Sequence, residues 1–275
     1  METLTGGDQT TAPTTGHSSE EVAYLHVIAD YLYDILIPII LILGVVGNLL
    51  TILIMTSKPF RSSSVAVYFS VLPISDSLVL ILDFLNNWVG SVPKINLMGL
   101  SDGFCKFHRF FFNVVYVYSA WLVTAVCIER FIVVWFPFKA KQICSYRKTV
   151  IAVSVMPIPI SAIYLYNIWT WYAYGNDCVM LSSWYDFQSY ISPWISAFTY
   201  SYCPVIIMVI LNTAILGKLA LARKSRRQMS SEASANEKKE SRITVTIVVI
   251  CVFYVIMTVP LSIYYTLAFK YDQVC

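Results

Sequence analysis

Residues 105–134 read CKFHRFFFNVVYVYSAWLVTAVCIERFIVV, and this stretch decides the fold. Cys105 and Arg130 are 25 residues apart. As a helix rising about 1.5 Å per residue that is roughly 37 Å, enough to pass from one face of a bilayer to the other across about 30 Å of hydrocarbon. Arg130 sits near one end of the segment and Lys106 and Arg109 near the other, with mostly apolar and aromatic side chains between. The segment reads as a membrane-spanning helix.

The rest of the chain has the composition such a helix requires. Of 275 residues, 57% are hydrophobic and 13% charged, with a mean hydropathy of +0.66; a soluble chain runs at about 45–50% apolar and about 25% charged. Disorder, a small disulfide-rich module and a nucleic-acid binder are excluded together, since they need low hydrophobicity, dense cysteine and a basic surface respectively. The three histidines (His17, His26, His108) and seven cysteines show neither Cys-x-x-Cys nor His-Glu-x-x-His, so no metal site is expected. No Gly-x-Ser-x-Gly elbow or Gly-rich phosphate loop is present, and nothing supports an enzyme.

A window of about 20 residues moved along the chain finds six spans. They fall near 33–56, 65–89, 107–134, 149–171, 190–216 and 243–269. Residues 1–30 form a polar tail without the basic start of a signal peptide, so the first span is expected to act as an uncleaved anchor. Residues 217–242, with Lys218, Arg223, Lys224, Arg226 and Arg227, are the internal polar linker. With the N-terminus outside, fifteen of the nineteen Lys and Arg fall on the inner side, leaving Lys94, Lys106, Arg109 and Lys270 outside. That bias is the positive-inside signal, and it sets the orientation.

Polar groups within the spans are the next signal, because an ionisable side chain near the bilayer centre costs at least about 2.5–3.5 kcal/mol. Asn48, Asp76 and Asp83 are such residues. With their surroundings, Gly47-Asn48, Leu72…Asp76 and Glu129-Arg130-Phe131, the chain resembles a rhodopsin-like (class A) G-protein-coupled receptor. Cys105, Pro137-Phe138, Cys178, Pro204 and Pro260 follow in the order and on the side of the membrane that the family has them. The resemblance covers about residues 31–270. It implies an all-α transmembrane helical bundle, the seven-helix receptor fold with six helices present, in the plasma membrane. On this reading 1–30 is extracellular, 217–242 is the third cytoplasmic loop and 271–275 begins the third outer loop.

The resemblance also implies roles. Cys105 and Cys178 would be bridged; Glu129, Arg130, Phe138 and Glu240, with the helix-bending Pro204 and Pro260, would serve G-protein coupling and activation. In the family Arg130 pairs with Glu129 and with an acid at the inner end of the sixth span, the place Glu240 occupies; otherwise Glu240 is one linker charge among several. Asp76 and Ser119 resemble ligands of the family's sodium pocket, with Asn48 nearby, although Asn48 more often braces helix packing. Cys127, Cys203 and Cys251 are expected as buried thiols.

Several positions depart from the pattern. The Cys-Trp-x-Pro of the sixth span reads Met257-Thr258-Val259-Pro260, and the Tyr eight residues after Pro204 is Asn212. These changes point to divergent invertebrate neuropeptide receptors, the FMRFamide-like and myosuppressin-like groups. The chain ends at Cys275, before the Asn-Pro-x-x-Tyr of a seventh helix, and is read as a fragment, a truncated gene model or a splice form.

The residue 18 before Arg130, an Asp in amine receptors, is Phe112, which argues against an amine ligand. Ten acids on the outer segments face four cations, a surface that attracts a cationic ligand. Asp83, Asn87, Phe112, Tyr116 and Trp184 are the candidate ligand-binding residues: an amidated peptide with Arg and Phe would place its cation on carboxylate and its ring on the aromatic wall. Aromatics at helix ends are also plain interfacial anchors. The expected partners are an extracellular peptide, a heterotrimeric G-protein and the bilayer, with no nucleic acid. A six-span channel or transporter is the competing class, but the halves show no correspondence and no charge ring or filter is visible. A truncated, non-signalling receptor is the other.

Overall fold

The structure, a computed structural model, describes residues 16–58, 63–84, 88–89, 96–228 and 235–271. Six of its helical segments are long and apolar enough to cross a membrane: Asp34–Thr56, Ser64–Asp83, Asp102–Trp135, Tyr146–Thr170, Phe187–Ala222 and Ser241–Tyr264, hereafter spans 1 to 6. The chain is an all-α helical bundle of the multi-pass membrane type. The helix containing span 1 starts at Gly16, so half of the polar tail continues it as helix.

Local chemistry sets the ends. Ser63 and Ser101 cap spans 2 and 3 by accepting the backbone N–H groups of Ala66 and Phe104 at 3.2 Å each. Span 3 begins at Asp102, five residues before the hydropathy reading starts it, because the cap and not hydropathy decides the first turn. Pro137 occupies the first turn of the short helix Pro137–Ile143, where its missing N–H costs no bond. Within span 4 the helix breaks at Met156, directly before Pro157 and Pro159, which lack the N–H groups that would continue it.

Span 3 is the most buried of the six and span 1 the least. Leu122, Val126 and Cys127 of span 3 form the core with Tyr68, Val153, Met208, Ile247 and Cys251. Nearer the outer side, Val114 and Val117 pack on Ile160, Tyr164 and Tyr166 of span 4. Span 1 presents Ile39, Ile42, Leu43, Leu50 and Leu53 outward, as a lipid-facing helix does.

The connection after span 4 holds the one sheet among the described residues, a hairpin of β1 (Trp171–Tyr174) and β2 (Asp177–Met180). Trp171 pairs with Met180 and Tyr174 with Asp177. Its turn carries Gly175 at φ 61°, which a residue without Cβ adopts at no cost. The hairpin tip rests on Gly99: a Cβ there would lie 1.9 Å from the Asn176 carbonyl oxygen.

Candidate functional site

At the outer end, Cys105 in the first turn of span 3 is bonded to Cys178 of β2, with Cα atoms 5.6 Å apart across 73 residues of sequence. Asp102 Oδ1 accepts the Ala173 N–H at 3.2 Å, and Asp177 Oδ1 accepts from Asn96 Nδ2 at 2.5 Å. The hairpin is therefore fixed over span 3. Two of the acids counted toward the negative outer face are engaged locally: Asp177 by Asn96, and Asp102 also by Lys106 at 2.6 Å. One of the outer cations, Arg109, stacks its guanidinium on the Trp171 ring, 4.0 Å from its centre.

Below the hairpin, one face of span 3 is an aromatic column. Phe104, His108, Phe112 and Tyr116 recur every four residues, with neighbouring ring centres 6.0, 6.1 and 5.7 Å apart. Tyr116 stacks at 3.7 Å on Tyr200 of span 5, and Tyr200 lies edge-on to Tyr254 of span 6 at 6.4 Å. Of the sequence-predicted ligand residues, Phe112 and Tyr116 thus share one wall. Asp83, half-buried at the end of span 2, is within electrostatic range of His108 on the same column. Trp184 packs elsewhere, edge-on to Phe187 at 5.6 Å, which leans on Tyr166. Asn87 lies outside the described residues.

Midway through the bundle, Asp76 accepts a hydrogen bond from the Ser119 hydroxyl. Asn48 does not join them: its amide donates to Ser77 Oγ at 3.0 Å, bracing span 1 on span 2. The donor set is therefore a carboxylate and one hydroxyl, hard oxygens suited to a hard cation but fewer than such a cation takes. Pro204 is buried immediately after a π-helical segment, Ala197–Tyr202, whereas Pro260 faces outward within the helix Ala235–Tyr271. Thr258, in the place of the family's Trp, is buried, as is Asn212 in the place of its Tyr.

At the inner end, Arg130 Nη2 lies 3.1 Å from Glu129 Oε1, with both side chains 5% exposed. Ser64 of span 2 donates to the same oxygen at 2.7 Å, a partner that no pattern in span 3 alone could reveal. A charged pair out of water needs such added hydrogen bonds to be tolerated. Phe138 stands on the following short helix with 93% of its surface exposed. Cys144, six residues on, is half-buried, and its burial together with the Glu129 carboxylate raises its thiol above the ordinary range. Glu240 falls in the first turns of the helix Ala235–Tyr271; its side chain lies outside the described residues.

One expectation is corrected. Cys127 and Cys251 are not two buried thiols but are bonded to each other, joining spans 3 and 6 with Cα atoms 7.3 Å apart. Reading each span by itself gives burial but not which faces of two helices meet. Cys203 is a free, half-buried thiol.

A family model described as 7 transmembrane receptor (rhodopsin family) matches residues 47–273. The FMRFamide receptor of Drosophila melanogaster is 24% identical over 257 residues, covering 82% of this chain and 44% of that protein. The thyrotropin-releasing hormone receptor of Gallus gallus is 27% identical over 150 residues, 54% of this chain and 36% of that protein. The human CX3C chemokine receptor 1 is 30% identical over 102 residues, 37% of this chain and 27% of that protein. The chain spans less than half the length of each of these relatives. A match that runs from Gly47 in span 1 past the end of span 6 takes in well over half of the sequence, and the chain belongs to the rhodopsin family of seven-transmembrane receptors.

Proposed function

We propose that this protein is a plasma-membrane receptor, N-terminus outside, for a cationic amidated peptide, whose binding it transmits to a heterotrimeric G-protein. The observation that carries the reading is the aromatic column Phe104–His108–Phe112–Tyr116, which leads from beneath the disulfide-held hairpin to span 6 through Tyr200 and Tyr254. A peptide's aromatic side chains stack on such a wall, and Asp83 beside it supplies the carboxylate for a guanidinium. Two relatives, the FMRFamide receptor and the thyrotropin-releasing hormone receptor, are named for peptides and support the ligand class.

At the inner end the roles follow the same reading. Arg130 leaves Glu129 to receive the G-protein, Phe138 fills an apolar pocket on it, and Glu240 holds span 6 near Arg130 in the resting state. A sodium ion, if bound, would be held by the Asp76 carboxylate and the Ser119 hydroxyl, where its charge would offset that of Asp76.

The test uses Phe-Met-Arg-Phe-amide as probe on cells displaying the receptor in seven-helix form. Asp83→Asn should lower its potency by about tenfold or more, the loss of a charge-assisted contact, while leaving a probe with Met in place of Arg unaffected. Equal potency of the two probes on the unmodified receptor would overturn the cationic assignment.

A further inference from the structure

His108 is a polar side chain that the bundle buries without satisfying. It is 3% exposed, and its Nδ1 has no hydrogen-bond partner among the described residues. The other ring nitrogen settles the tautomer of the neutral imidazole: Nε2 lies 3.2 Å from the Leu82 carbonyl oxygen, which can only accept, so Nε2 carries the proton and Nδ1 is a bare acceptor. A buried acceptor left without a donor carries the full desolvation cost of the group. In a wall already read as a ligand surface, such an atom is a place for a ligand's donor.

The surroundings narrow the chemistry of that donor. His108 stands in the aromatic column between Phe104 and Phe112, with ring centres 6.0 and 6.1 Å away. Both phenylalanines are half-buried, so a ligand reaches Nδ1 by parting two rings and not by breaking a hydrogen bond. Towards span 2 the imidazole meets the Leu82 carbonyl and, within electrostatic range, the Asp83 carboxylate. The neighbouring cation, Arg109, lies about 100° further round the helix, with its guanidinium over the Trp171 ring at 4.0 Å. The column side of His108 therefore presents acceptors. A guanidinium or ammonium is drawn to Asp83 itself; a carboxylate is repelled by Asp83 and meets only a lone pair at Nδ1. The uncharged N–H of a carboxamide suits the imidazole.

We infer that His108 is a specificity-determining residue that reads the carboxamide of an amidated peptide, Nδ1 accepting one of its N–H groups. The inference rests on the peptide reading for its ligand class and adds the atom that tells the amide from the free acid. With the carboxamide at His108, an aromatic side chain on the same ligand residue reaches Phe112, one turn further in.

The experiment uses the purified 275-residue chain in nanodiscs, with N-acetylphenylalaninamide as probe and its free acid, N-acetylphenylalanine, as control. Neither carries a cation, so the outcome is independent of whether Asp83 holds a guanidinium. With nitrogen-15 histidine at about pH 8, above the ordinary histidine range, the signals of His108 are those missing from His108→Gln. The amide should shift the Nδ1 signal and leave Nε2 in place, while the acid shifts neither. An Nδ1 that already carries the proton, no shift with the amide, or equal shifts with both probes overturns the inference. Two isosteres then separate reading from bracing, with probe affinity measured by saturation-transfer NMR. His108→Asn keeps an acceptor near the Nδ1 position and loses the group at Nε2, so affinity for the amide should stay within about threefold; His108→Gln keeps a donor for the Leu82 carbonyl and loses the acceptor, so affinity should fall about tenfold. A merely structural histidine gives the reverse order, and that order or equal affinities would refute the assignment. Should His108→Asn fail to fold, the nitrogen signals decide alone.

Discussion

Phe138 is the side chain whose surroundings least explain it. It follows Pro137 at the start of a helix, on the side that the proposed orientation makes cytoplasmic, with 93% of its surface exposed. An aromatic so placed has neither core nor bilayer to cover it, and a partner protein is what would. Phe138→Ala in a seven-helix form should therefore cut agonist-stimulated signalling severalfold while leaving peptide affinity nearly intact, because the residue is remote from the outer column. Dose–response curves beside radioligand binding check this, and unimpaired signalling would falsify the assignment. Glu129 and Arg130 show the opposite relation between a residue and its setting. Their pairing is legible from adjacency in sequence, but the Ser64 hydroxyl that makes a buried carboxylate tolerable arrives from another helix.

Among the elements, the hairpin Trp171–Met180 carries the most constraint for its size. The Cys105–Cys178 bond, the Asp102 carboxylate and the Asn96–Asp177 contact hold it from three sides, and Gly99 lets its tip close down. Gly99→Ala should destabilise the chain by about 1–3 kcal/mol, since the atom met is backbone and the hairpin cannot yield without disturbing its anchors. Gly103→Ala, where a Cβ meets nothing within 4 Å, is the control. Thermal unfolding of both variants in detergent decides it, with equal midpoints the contrary result. Non-reducing peptide mapping should likewise recover Cys105 linked to Cys178 and Cys127 linked to Cys251, with Cys144 and Cys203 alkylated. Closing the 73-residue loop contributes on the order of 2–4 kcal/mol, and free thiols at 105 and 178 would leave the hairpin held by hydrogen bonds alone.

For the whole molecule the question is how spans 3, 5 and 6 are held relative to one another. Three ties act at different depths: the hydrogen bond from the Tyr254 hydroxyl to the Tyr200 carbonyl, the Cys127–Cys251 bond, and the proposed pairing of Glu240 with Arg130 at the inner surface. Removing a contact made only in the resting arrangement shifts the population toward the open one. Glu240→Ala in a seven-helix form should raise ligand-independent signalling at equal surface expression. Unchanged basal activity would place Glu240 among the ordinary linker charges.

Composition and span length by themselves determined that the chain crosses a membrane repeatedly, because a 57% hydrophobic sequence with runs of about 20 apolar residues has no soluble fold to adopt. The distribution of Lys and Arg is what the proposed orientation rests on, since that rule acts on the chain before it packs. The ordered marks from Gly47-Asn48 to Pro260 were enough to suggest the family. What sequence could not supply is rotation: a span's hydropathy is nearly the same all round, so it does not say which face meets which neighbour. Asn48 reads either as a pocket residue beside Asp76 or as a helix brace, and its bond to Ser77 is the brace; Cys127 and Cys251 read as separate thiols and are bonded; Trp184, expected among the ligand residues, packs on Phe187. Only tertiary packing brings Trp121 and Tyr254 to the Thr199 and Tyr200 carbonyls before Pro204, because that contact depends on the π register of span 5, and register is settled by the helices around it.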